Sequence, residues 1–287
     1  MFIDATVLYQ LAVIHYLLWS ARRALASFAP ALGDLAPEYD RLEPRLMRVP
    51  VWISLVAIVL GLAYAASFLL GDPGGVGLTP QSSALWVFVS VCTVFAGIVF
   101  AALVLVVVRQ MVTIVQIHAR STAVSIFDPS AHGAFARLTL RASVGLALPV
   151  YVFTTYQLIA GNPDGGITAP ELVTVVALIG GAIGVFFIPL AGIHQRLVHQ
   201  KSELVSVVLV RFGAATRDVH AKADAGDLTG LDASEKLVTV LIAERDIVRK
   251  LSTWPWEAET LRAFLSSIGL PILVWFVTTL LGRVLGS

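Results

Sequence analysis

Hydrophobic residues along this chain come in long unbroken runs rather than in the spaced pattern of a one-sided surface helix. Five stretches carry no charged side chain for 20 residues or more: Val49–Gly71, Pro73–Val108, Ala142–Pro163, Leu172–Ile193 and Ala263–Gly282. A helix rising about 1.5 Å per residue needs about 20 apolar residues to cross a bilayer. Each run predicts one membrane span. The chain therefore reads as all-α, a polytopic membrane helical bundle with five transmembrane helices and cytoplasmic helical extensions.

The extensions follow from what happens beyond two of the runs. Arg109–Phe127 continues the second with mixed polar and apolar residues, and meets no Gly or Pro until Asp128-Pro129. Asp there suits a helix cap and Pro a first helical turn. A helical hairpin reaching about 27 Å beyond the membrane is expected, from about 18 residues at 1.5 Å each. Past Ile193, Leu197, Leu204, Val208 and Phe212 recur at helical spacing until the turn-rich Asp224-Ala-Gly-Asp227. Asp232-Ala-Ser-Glu235 then has capping-box form and opens a helix with Leu237, Leu241, Val248 and Leu251 on one side. Two amphipathic helices joined by a short turn pair antiparallel. Val205–Val210 is apolar nearly all round, more than one partner helix covers, and this excess points to another copy of the chain.

The N-terminal Ala5–Trp19 is apolar but short. Asp4 precedes it and Arg22–Arg23 follow it, the reverse of a signal peptide's charge order. Asp4, His15 and Arg22 fall within about 20° on a helical wheel. An interfacial amphipathic helix is expected, with a sixth span as the alternative. The chain thus divides into an interfacial or cytoplasmic helical segment (1–48), a first transmembrane hairpin (49–108) and a cytoplasmic helical hairpin (109–140). A second transmembrane hairpin (141–193), a cytoplasmic amphipathic hairpin (194–256) and a fifth transmembrane helix (257–287) follow.

Charge sets the orientation. The short loops 72–83 and 162–171 hold no Lys or Arg, whereas 19 of the 20 basic residues lie in the first fifty residues, in Arg109–Arg141 or in His194–Arg262. The positive-inside rule puts the basic-free loops outside, the basic segments in the cytoplasm and the C-terminus outside. A cell (inner) membrane location follows, with the lipid bilayer as the first partner. The basic segments also carry most of the acids, so nucleic acid is not expected as a partner. Cys92 is the only cysteine and lies inside the second run, where it acts as a small apolar residue.

The two hairpins look like an imperfect duplication. The outer turns read Gly71-Asp-Pro-Gly-Gly and Gly161-Asn-Pro-Asp-Gly-Gly, and each hairpin returns through Ile-His-x-Arg, at Ile117–Arg120 and Ile193–Arg196. The two would run in the same direction, a parallel repeat. Turn chemistry alone also favours Gly, Pro, Asp and Asn in short outer loops.

Candidate chemistry is sparse. None of the five runs has an acid, Lys, Arg or His in its core, which argues against a proton-driven pump or voltage sensor. Weakly polar stripes remain. Tyr151, Thr154 and Gln157 share one side of the third run with the apolar Val150 below them; Ser90, Thr93 and Gly97 share a face of the second; Ser267 and Thr278 flank Pro271 in the fifth. They serve either as interhelical hydrogen bonds or as the lining of a path. Gly180, Gly181 and Gly184 suit close helix packing, or a hinge together with Pro189. Trp254 and Trp256 are expected as interface anchors, or as a lever onto the fifth span. His118 and His194 suit hydrogen bonding near the membrane boundary, with pH sensing as the sharper alternative. Asp218, His220, Asp224, Asp227 and Asp232 do not have EF-hand spacing. No GxSxG, Walker A, HExxH or CxxC motif occurs, so no catalytic, cofactor-binding or metal residue is expected and the protein is read as no enzyme. The function expected is a homo-oligomeric ion pore or channel-gating subunit. The alternative is a signal-relay or assembly-partner protein whose cytoplasmic helices act on another protein without catalysis.

Overall fold

The computed structural model describes residues 2–71, 83–160, 169–226, 230–256, 258–267, 269 and 273. Within these it places all side chains but those of residues 2–4, 67–71, 83–86, 89, 129–132, 150–160, 169–172, 174, 175 and 231. Among the described residues every regular element is helical. In order they are α1 (Phe2–Phe28), two 3-10 segments (Ala29–Ala31 and Gly33–Glu38), α2 (Tyr39–Met47), α3 (Val51–Gly71), α4 (Ser83–Arg120), α5 (Pro129–Ala160), α6 (Ala169–Asp224) and α7 (Leu231–Lys250). Residues 258–267 form a further helical stretch.

Three helical stretches, Gly33–Ala66, Ser90–Arg120 and Val176–Asp224, are long and apolar enough to cross a membrane. They overlap the first, second and fourth of the predicted spans. The backbone of the third is helical as part of α5, but its side chains from Val150 onward lie outside the described residues, as does most of the fifth. Outward-facing apolar residues are numerous on the described spans, among them Val56, Val59, Leu62, Val87, Phe95, Val176 and Ile188. In water such surface would be costly; against lipid it is the expected face.

The segment expected at Ala5–Trp19 belongs to a longer helix that is covered by protein along one side, while Leu8, Leu11, Tyr16 and Trp19 stay exposed. Leu17, Ala21, Ala24, Leu25 and Phe28 recur at three- and four-residue spacing and are buried against α4 and α5. α1 runs antiparallel to α5. The Phe28 and Phe135 rings lie 4.9 Å apart, Arg141 donates to the Ser20 hydroxyl (3.2 Å), and the Tyr9 hydroxyl donates to the Gly145 carbonyl (3.2 Å). The buried side thus packs α1 onto α4 and α5.

α4 ends at Arg120 rather than near Phe127. Residues 121–128 form an irregular connection pinned by α6: the Gln200 amide accepts from the Ile126 N–H (3.1 Å) and donates to the Val124 carbonyl (2.8 Å). A long polar side chain from a neighbouring helix thus replaces the helical bonds that these residues would otherwise have made. α5 then starts at Pro129, where Asp128-Pro129 places it.

α6 is the longest element, with 56 residues, about 84 Å at 1.5 Å per residue. α7 folds back along it, and Lys201 of α6 donates to the Arg249 and Leu251 carbonyls (both 2.7 Å) at the C-terminus of α7. The antiparallel pairing is as expected, but two details differ. The N-cap of α7 is Gly230 in the left-handed conformation (φ 75°), and it makes no side-chain cap. Asp232 therefore sits inside the first turn, where its charge still complements the helix dipole. Leu241 and Val248 are buried on α6, whereas Leu237 is exposed.

Candidate functional site

The densest polar arrangement is a collar where α4 and α6 pass from apolar to polar sequence. Both copies of Ile-His-x-Arg lie in it. In the first, Ile117 and His118 are buried, and the imidazole stands edge-on to Phe28 and Phe135 with centroids 5.4 and 5.2 Å away. Its Nδ1 lies 3.1 Å from the Pro189 carbonyl oxygen of α6. Arg120 pairs with Glu38 at 2.6 Å, tying the 3-10 segment to the end of α4. Beside it Gly33, at a positive φ of 57°, backs onto Thr122, whose hydroxyl accepts from the Asp34 N–H (3.1 Å).

The second copy repeats the logic one hairpin later. Ile193 is buried, and His194 Nδ1 lies 2.9 Å from the Thr253 carbonyl oxygen. Its ring stacks flat on Trp254, with centroids 3.7 Å apart and planes at 8°. Arg196 donates to the carbonyls of Ala119 (2.6 Å) and Ser121 (2.8 Å). These lie at the C-terminal end of α4, where helical carbonyls lack intrahelical partners. The same device serves α2, whose last carbonyls, of Leu46 and Arg48, accept from Gln110 and Arg109 of α4. Three helix C-termini are thus each capped by a basic side chain of another helix, a favourable meeting of cation and dipole.

Between the end of α4 and the facing side of α6 lies a cleft of about 610 Å³. Its apolar wall includes Val115, Ile188 and Pro189, and its polar wall Arg196, His199, Gln200 and Glu203. His199 and Glu203 pair across one helical turn at 3.2 Å. Most of the polar groups are therefore already matched, and what the cleft offers is a polar mouth beneath an apolar wall.

The residues singled out in the sequence fall in several places. Trp254 and Trp256 stack on each other at 4.2 Å, and Trp256 continues onto Phe186 and Phe187 of α6 at 5.3 and 5.5 Å. Phe264 of the last helical stretch stacks on Phe186 at 4.1 Å. An aromatic ladder thus runs from His194 to the first residues of the fifth predicted span. Pro189 is buried, with its carbonyl against His118; its ring leaves the Val185 carbonyl without a helical donor. Gly180 and Gly181 are exposed, and among the described residues nothing stands where a Cβ would; at Gly184 a Cβ would meet only Ile188 of its own helix. Ser90 is half-buried and Thr93 buried; Gly97, on the same face, meets Gly61 and Tyr64 of α3. The side chains of Val150, Tyr151, Thr154 and Gln157, and Pro271 and Thr278 altogether, lie outside the described residues.

Sequence reasoning passed over Gln200, Lys201 and the packing of Phe28. For Phe28 a signal existed in the Leu17–Ala21–Ala24–Phe28 spacing; for the caps there was none, because a cap joins residues about 50 to 80 positions apart (Lys201–Leu251, Arg196–Ala119). No family model, no curated protein and no solved structure matches the chain.

Proposed function

We propose that the protein is a homo-oligomeric membrane protein of the ion-pore or channel-gating class. In this reading it has five spans, the loops 72–83 and 162–171 outside, the collar and the α6–α7 hairpin in the cytoplasm, and it resides in the cell membrane. The observation that carries it is α6. One continuous helix bears an apolar segment whose Gly180–Gly181 face meets nothing among the described residues, and a polar segment that caps α4 and α7. Small open residues let a helix of another copy approach closely, and one continuous helix links the apolar segment to the polar one, with Pro189 as the point where it can bend. The path itself is assigned to the Tyr151–Thr154–Gln157 side of the third span, with Val150 as its constriction.

The test is ion flux through purified protein in liposomes. Wild type should conduct, Gln157→Leu should reduce or alter the flux by removing a dipole from the outer mouth, and Val150→Ser should raise it by wetting the constriction. Liposomes that stay ion-tight with both the wild type and Val150→Ser would sink the pore.

A second reading, relay to a cytoplasmic protein partner, is favoured by the ladder from His194 through Trp254 and Trp256 to Phe186 and Phe264, which joins the hairpin to the last helix. Ion-tight liposomes together with a cytoplasmic protein captured by the hairpin would select it.

A further inference from the structure

The α6–α7 hairpin carries two apolar seams on each helix where a lone hairpin needs one. The first seam is the buried one, Leu197, Leu204 and Val208 against Leu241 and Val248. The second is largely exposed and is apolar except at three charged positions. On α7 it runs Ala233, Leu237, Val240, Glu244, Ile247 and Leu251, of which Glu244 and Leu251 are half-buried, spaced alternately by four and three residues; on α6 it runs Glu203, Val207, Val210, Ala214, Arg217 and Ala221 with the same spacing. Val210 is 70% exposed, and Val240 and Ile247 are each 61% exposed. This is not lipid-facing surface. Eight of the 20 residues of α7 are Asp, Glu, Lys or Arg, a density that hydrocarbon does not accept.

Both exposed seams lie on one face of the hairpin. At about 100° per residue, the exposed seam is displaced from the buried seam of its own helix by roughly 120° on α6 and roughly 70° on α7, in the same rotational sense. Two helices that face each other and run antiparallel turn that shared sense to the same side. The opposite side of the pair is less apolar: Ser202, Ser206, His220, Glu235, Thr239 and Asp246 lie there, interspersed with the exposed Val198, Leu209 and Ile242. The face is continuous with the collar, because Val207 and the exposed Phe127 border one hollow of about 300 Å³ at its upper end.

We propose that this face binds the same face of a second copy, closing an antiparallel four-helix bundle below the membrane. The choice of occupant follows from symmetry. Copies inserted in one membrane share an orientation, so their two-fold axis runs along the membrane normal and along these helices. Rotation about that axis places α6 beside the partner's α7 and α7 beside the partner's α6. Every neighbouring pair is then antiparallel, as in up-down-up-down bundles, whose seams use this four–three spacing. The seams also match in size. With Lys201 level with Arg249–Leu251, Val210 comes level with Val240 and the small Ala214 with the large Leu237. Two 20-residue helices about 30 Å long present roughly 600 Å² on one face, close to the ~800 Å² per partner of a standard interface.

The proposal rests on the oligomeric half of the function above and not on conduction. Its test combines cross-linking and mass, in a Cys92→Ala background in detergent. V210C and V240C proteins, mixed and exchanged, should cross-link to each other with a short bifunctional thiol reagent, and each alone should do so far less. Wild type should have at least twice the monomer mass by light scattering, and the Val210→Glu/Ile247→Glu pair should halve it, whereas Thr239→Glu on the opposite side should not. A monomeric wild type, no hetero-cross-link, or an unchanged mass in the charged pair would each overturn it. The cross-link test stands even if the charged pair fails to fold. Ion-tight liposomes of a protein that still cross-links would remove the pore and leave this interface.

Discussion

Gly61 of α3 and Gly97 of α4 bring the two helices backbone to backbone. A methyl group on Gly61 would overlap the Cα and N of Ile98, and one on Gly97 would stand 3.0 Å from the Gly61 carbonyl oxygen. The obstacle at Gly61 is main chain, which cannot swing aside as a side chain does. Only the absence of a Cβ allows this crossing, and it fixes where the first hairpin closes.

Gly61→Ala should therefore destabilise the protein by about 1–3 kcal/mol, the cost of overpacking a tight interface, and Gly61→Val by more. Gly97→Ala should cost less, because its neighbours sit at 3.0 and 3.1 Å and one of them is the Tyr64 ring. Thermal unfolding in detergent reads both. Equal midpoints for Gly61→Val and wild type would show that the helices do not touch there.

Arg196→Ala should free the end of α4. Its two hydrogen bonds go to main-chain carbonyls, but the side chain is largely exposed, so about 1 kcal/mol is the expected loss. The sharper readout is local. Amide exchange across residues 119–128 should accelerate, and the α7 amides should not change. Arg196→Lys should restore only part of it: an ammonium can donate to two carbonyls, as Lys201 does, but it lacks the planar fork that holds two separate nitrogens on Ala119 and Ser121.

His194 contributes by stacking on Trp254 and by its contact with the Thr253 carbonyl, and two substitutions separate these. His194→Phe keeps an aromatic face and loses the polar contact; His194→Asn keeps a donor and loses the stack. Each should lower stability by about 1 kcal/mol, and only His194→Asn should change the Trp254 fluorescence strongly. An unchanged emission in both would mean the ladder is not formed in the membrane.

Orientation is tested by thiol labelling of intact cells in a Cys92→Ala background. Cysteines at Gly74 or Gly165 should react with an impermeant reagent, and cysteines at Ala225 or Asp232 should not. Reaction at the latter pair would invert the topology, which stands on the distribution of 20 basic residues.

Membrane class, the runs that form α3, α4 and the first part of α6, and the folding of α7 onto α6 were all legible in the chain. Each depends on local composition: an uncharged run long enough to cross a bilayer, or apolar positions at helical period. The end of α4 was not legible, because Arg109–Phe127 has nothing in it that stops a helix; Arg196 and Gln200, some 75 residues further on, stop it by claiming its carbonyls and binding the connection. The polar stripe of α1 is visible in the chain, but its packing through Leu17, Leu25 and Phe28 against α4 and α5 appears only in the folded structure. The tryptophans were visible as residues suited to a membrane boundary, but that they stack from His194 to Phe186 required the chain to return on itself. Local pattern determines which segments are helices and which prefer lipid, because those free energies are sums over neighbours in sequence. Which cation caps which helix end, and which seam stays uncovered, depends on pairs far apart in the chain, and only the folded arrangement of helices brings those together.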